Sequence, residues 1–81
     1  MFKKEIEVNA SWDEEAKVWV AESEDVPGLV TEADTMEQLV EKLKVLIPEL
    51  FEANGQFARG ENFDIPMHVV SKREELIKRR M

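Results

Sequence analysis

The chain has 81 residues, a net charge of −7, no cysteine and a single histidine, His68. That size permits one compact unit with a small core, and the composition excludes disulfides, thiolate metal sites and a histidine-rich zinc site. The opening residues Met1-Phe2-Lys3-Lys4-Glu5-Ile6-Glu7 lack the apolar run of a secretion signal, and nothing approaches the ~18 apolar residues of a membrane span, so a cytoplasmic protein is expected.

The charge is uneven. Residues 1–70 carry 16 acids and 6 bases, whereas residues 71–81 carry 5 bases and 2 acids. An acidic body repels a phosphate backbone and suits a basic protein partner.

From Phe2 to Trp12 the even positions are apolar apart from Lys4, and the odd positions are polar, which predicts a strand with one buried face. Asp13-Glu14-Glu15-Ala16 interrupts, and Lys17 to Ser23 resumes as the second arm of a hairpin. Pro27-Gly28 marks a turn, and Leu29 to Ala33 fits a third antiparallel strand ending at Asp34.

Thr35 and Gln38 have the spacing of a capping box and predict a helix start. Met36, Leu39, Val40, Leu43, Leu46, Ile47, Leu50 and Phe51 then recur every three or four residues, one stripe facing the sheet. Pro48 predicts a kink or restart, and Asn54-Gly55 a stop.

Phe63, Ile65, Met67 and Val69 alternate with Asp64, Pro66, His68 and Val70, which predicts a fourth strand at a sheet border, where Pro66 is tolerated. Ser71 and Glu74 repeat the capping-box spacing and suggest a short basic C-terminal helix or tail over 71–81, beyond a domain of residues 1–70. Right-handed crossover places strand four parallel to strand one and beside it. The expected fold is α+β, β-β-β-α-β with sheet order 3-2-1-4.

Carboxylates are abundant without converging. Glu5 and Glu7 lie opposite the apolar face of strand one, and Asp13, Glu14, Glu15, Glu24 and Asp25 fall in turns, so no two-metal cluster is expected. His68 belongs to no nucleophile motif, and there is no nucleophile elbow and no phosphate-binding glycine loop. The chain reads as no enzyme and as needing no cofactor. Trp12 follows the buried parity of strand one. Trp19 alternates with Val18 and Val20; if those valines are buried, it lies on the open face of the sheet, where it would want a partner.

The segment from Ser11 to Thr35 resembles the HicB antitoxin domain, and looks closest to a small HicB-like branch of unassigned function. The resemblance rests on the acidic hairpin turn, the aromatic Trp19 on strand two, the turn Asp25-Val26-Pro27-Gly28, and Asp34-Thr35 before the helix. It implies a degenerate, partial ribonuclease H-like fold without its catalytic acids. It also implies a partner, a small basic HicA-type toxin that cleaves messenger RNA and is neutralised by occlusion. Family members often add a C-terminal DNA-binding domain, which the 81 residues do not include. Ala33 departs from the glycine the family often has before the aspartate.

On that reading the binding surface is the acidic rim of Glu22, Glu24, Asp25, Glu32 and Asp34, together with Trp19. The alternative is a stand-alone homo-oligomeric structural or regulatory domain with no toxin partner. Either way a homodimer is expected, because one helix covers only one face of a four-stranded sheet; strand three is the expected pairing edge, since Pro66 interrupts strand four.

Overall fold

The structure is a computed structural model that describes residues 5–55 and 64–80. Its elements are β1 (Ile6–Asp13), β2 (Val18–Glu22), β3 (Val30–Ala33), α1 (Met36–Ala53) and β4 (Met67–Lys72). They form one sheet ordered β3-β2-β1-β4, antiparallel from β3 to β1 and parallel between β1 and β4, as the crossover rule requires. This α+β architecture and strand order are the ones the sequence predicts; Phe2, Phe63 and Met81 lie outside the described residues.

The β1–β2 hairpin closes through Asp13. Its Oδ1 accepts from the backbone N–H groups of Glu15 and Ala16, and its carbonyl accepts from Lys17 N–H at 2.7 Å. Lys17 pays for this tight closure with a left-handed φ of 58°. Between β2 and β3, Pro27 and Gly28 occupy the centre of a turn in which Leu29 N–H donates to Val26 C=O at 3.1 Å. The positive φ of Gly28, 86°, is why glycine stands there. Val26 and Leu29, on either side, are buried.

Helix α1 starts where the capping pair places it, Thr35 Oγ1 accepting from Gln38 N–H at 3.1 Å. Its innermost line is Leu39, Leu43, Ile47 and Phe51, all buried against Ile6, Val8 and Ala10 of β1 and Ala21 of β2. Of the two outcomes expected at Pro48, a restart does not occur: α1 runs through Pro48 as one helix. The carbonyl that Pro48 orphans belongs to Lys44, an exposed residue open to water, while Ile47 and Phe51 anchor the helix on both sides of the proline. Asn54-Gly55 ends it, Asn54 N–H donating to Leu50 C=O at 2.9 Å, and Asn54 Nδ2 ties this end to Pro27 C=O at 3.2 Å.

Two expectations at the C-terminal end fail. β4 begins at Met67, so Pro66 precedes the strand, its carbonyl accepting from Ile6 N–H at 2.9 Å. The proline therefore does not interrupt this edge. The predicted C-terminal helix is absent: Ser71 and Lys72 belong to β4, and residues 73–80 are neither helix nor strand. Ser71 is held in register opposite Ala10, and Leu76 and Ile77 are adjacent rather than three or four apart, giving a helix no stripe to bury.

Candidate functional site

The ladder registers sort the side chains onto two faces. Trp12 pairs with Trp19 and Trp19 with Ala33, while Ala10 pairs with Ala21, so both tryptophans lie on the helix side. This corrects the open-face alternative for Trp19: it is Val18 and Val20 that take the other side. Trp12 itself is half-buried rather than core, because it stands at the end of β1 beyond the last buried position, Ala10.

The uncovered face is crossed by two rows. One runs Val30, Glu22, Asn9, Val70 from the β3 edge to the β4 edge; the next runs Glu32, Val20, Ser11, Lys72. At the usual strand spacing each row spans about 14 Å. Val30 is 72% exposed and Val70 40%, with Val20 half-buried between them. Acids flank Val20 and Val30, Glu22 and Glu32 standing within the rows, whereas Val70 lies between His68 and Lys72 on β4, with Glu7 one step further along β1. Beyond it His68 Nε2 meets Glu5 Oε2 at 2.7 Å, a pair that sequence reasoning missed, although His68 and the odd positions of β1 share this face.

The predicted acidic rim is therefore divided. Glu22 and Glu32 are exposed on the open face. Asp25 is committed to the scaffold: where the β1–β2 ladder ends at Asn9 and Glu22, its Oδ2 accepts from Glu7 N–H at 2.9 Å, and Ser23 Oγ donates to Glu7 C=O at 2.5 Å. Two side chains thus continue the ladder by one residue. Glu24 is exposed beside them, and Asp34 is exposed before the helix cap, so neither belongs to the two rows.

At the hairpin end the aromatic pair forms a second cluster. The Trp12 and Trp19 rings meet edge to face, centroids 5.4 Å apart. The Arg73 guanidinium lies 4.3 Å above the Trp12 ring, and Arg73 Nε pairs with Glu75 Oε2 at 2.6 Å. The parallel register that sets Ser11 beside Lys72 brings Arg73 beside Trp12; a helical reading of residues 71–81 hides it. Trp12 Nε1–H donates to Glu14 Oε1 at 2.8 Å, and Lys17 pairs with Glu14 Oε2. The hydrogen bond from Lys17, then that from Trp12, hold the Glu14 carboxyl below the usual glutamate range.

Among the described residues no three His, Cys, Asp or Glu side chains gather to hold a metal ion, and no helix is long and apolar enough to cross a membrane. An apolar cleft of about 600 Å³ opens between α1 and the start of β4, bordered by Ile6, Leu43, Ile47, Ile65 and Met67, with Asp64 at its margin.

No curated protein matches the chain. Among solved structures, the crystal structure of hypothetical protein TTHA1013 from the extremely thermophilic bacterium Thermus thermophilus is similar to it. The two share 42% identity over 91% of this chain and 100% of that one, with a TM-score of 0.71. The sequence model of a domain of unknown function, DUF1902, matches residues 5–78, and the chain belongs to that family.

Proposed function

We propose that this protein is a non-catalytic binding module of the HicB antitoxin kind, with a degenerate, partial ribonuclease H-like fold, that occludes a small basic RNA-cleaving toxin. One observation carries the reading: the sheet face that α1 leaves bare presents Val20 and Val30 flanked by Glu22 and Glu32, with Glu7 and Val70 further across it. An apolar centre with an acidic frame offers a basic protein both desolvated contact and electrostatic steering. The HicB-like turn Asp25-Val26-Pro27-Gly28 supports the same reading, since Asp25 fastens the border of this face to β1.

The test is co-expression with a HicA-type toxin, reading growth rescue and the mass of the purified complex. The wild-type chain is expected to rescue. Glu22→Lys with Glu32→Lys is expected to abolish rescue while leaving the fold unchanged by circular dichroism, because both side chains are exposed. Full rescue by the charge-reversed variant would overturn the assignment of this face. Purified protein incubated with structured or single-stranded RNA and magnesium or manganese is expected to cut neither; metal-dependent cleavage abolished by an acid substitution would overturn the non-catalytic reading.

A further inference from the structure

Among the described residues β4 is a border strand with β1 on one side only, and no proline interrupts Met67–Lys72. Such an edge presents unpaired backbone donors and acceptors to a further strand. The β3 edge is shorter, four residues, and Lys42 Nζ from α1 donates to its Glu32 carbonyl at 2.6 Å. Beyond Arg73, whose guanidinium lies over Trp12, the chain leaves the body. Residues 73–80 are all exposed, Leu76 at 81% and Ile77 at 97%. The molecule measures 61 Å in one direction against 22 and 18 Å in the others, and its radius of gyration is 15.5 Å. A compact chain of this length has about 12 Å. A basic arm with two apolar residues in water thus projects from an acidic body, directly after an open strand edge.

We propose that two copies of this chain pair antiparallel through β4 about a two-fold axis at Ser71, each arm continuing as a strand along the partner copy. The pairing of Lys78 with Asp64 favours this register. In a pairing symmetric about Ser71, Lys78 falls opposite Asp64, Glu74 opposite His68, Leu76 opposite Pro66 and Ile77 opposite Ile65. These four opposed pairs combine groups that attract or are both apolar, while Lys72, Arg73 and Glu75 fall opposite Val70, Val69 and Met67. The faces agree as well. Met67, Val69 and Ser71 share the helix side with Ile6, Val8 and Ala10, and continued alternation gives Ile77 that side, where the partner's apolar cleft opens beside Ile65. Ile77 of one copy, 97% exposed, is thereby set over the apolar cleft of the other, and the basic arm offsets the repulsion of two acidic bodies. This proposal stands apart from the toxin-binding face, which it leaves free.

Sedimentation equilibrium of the full chain at micromolar concentration is expected to give twice the 9.4 kDa monomer mass, weakening as salt rises. Ile77→Asp is expected to raise the dimer dissociation constant at least tenfold, with the near-ultraviolet signal of Trp12 and Trp19 retained. Lys78→Glu is expected to do likewise, and adding Asp64→Lys to restore the dimer. Because the chain has no cysteine, Ser71→Cys gives one thiol per copy; it is expected to cross-link under mild oxidation, and Val30→Cys on the β3 edge is not. A monomer across the concentration range would overturn the proposal. So would a dimer that cross-links through Val30→Cys but not Ser71→Cys, or a Lys78→Glu defect that Asp64→Lys does not repair.

Discussion

The two faces of the sheet draw on similar residues and meet opposite fates. On the helix side Ile6, Val8, Ala10 and Ala21 are no more than 2% exposed, closed over by Leu39, Leu43, Ile47 and Phe51. On the other side Val30 and Val70, in a continuous row with Glu22 and Asn9, are left in water. Strand composition alone does not decide which face becomes core; the position of α1 does. Folding stability is therefore concentrated on one face, and the other is available for a partner at little thermodynamic cost.

The comparison breaks most sharply at Leu43, which is fully buried on the helix's inner line. Leu43→Ala is expected to cost about 2 to 5 kcal/mol, whereas Val30→Ala, on the open face, is expected to change stability by no more than about 0.5 kcal/mol. Urea denaturation of both variants measures the contrast. Equal shifts in midpoint would mean that the open face is covered in solution.

Two smaller effects test the seams between the faces. Asp25→Ala removes the acceptor for Glu7 N–H at the point where the β1–β2 ladder stops, and a loss of about 1 kcal/mol is expected. Hydrogen exchange at the Glu7 amide should accelerate in this variant more than exchange at Val8, which lies inside the ladder with β4; equal acceleration would indicate global loosening rather than a local fastener. Thr35→Ala removes the helix cap, with a similar expected loss of about 1 kcal/mol by thermal or urea unfolding. An unchanged midpoint would mean that water replaces the hydroxyl without penalty.

What the sequence made legible follows from how local each signal is. The β1 alternation, the stripe of α1, Thr35 as cap and Asn54-Gly55 as stop are fixed by periods and short-range chemistry, and the strand order follows from the handedness of one crossover. The side taken by Trp19 was not legible, because Val18-Trp19-Val20-Ala21 is apolar at every position and only the pairing with Trp12 and Ala33 breaks the tie. The C-terminal end misled for a different reason. Ser71 and Glu74 have capping-box spacing, yet capping adds about 1 kcal/mol at most sites, too little to hold a helix that has no apolar stripe against the ladder with β1. Of the predicted binding residues, Glu22 and Glu32 share the open face, Asp25 proves structural, and Trp19 joins a cluster whose third member, Arg73, comes from the segment read as helix.

The smallest expected effect lies at the hairpin end, where Glu14 joins Trp12 to Lys17. Its carboxyl is held below the ordinary glutamate value of 4.5, chiefly by the hydrogen bond from Lys17 and next by that from the Trp12 indole. A carboxyl whose pKa is lower in the folded than in the unfolded chain binds its proton less readily when folded. Its stabilising contribution is therefore complete above the unfolded value and fades as pH falls through the folded one. The site is exposed, so water and salt screen the pair, and the contribution belongs at the weak end of surface ion pairs. Glu14→Gln keeps an oxygen acceptor for the indole N–H and removes the titrating charge. Following Trp fluorescence during acid unfolding, the wild-type chain should lose stability between about pH 5 and about pH 3 slightly more steeply than Glu14→Gln, with the difference shrinking as salt is added. Superimposable acid titrations at low salt would show that the Lys17 contact is not held in solution. The hairpin end would then rest on the Asp13 turn and the edge-to-face tryptophans alone.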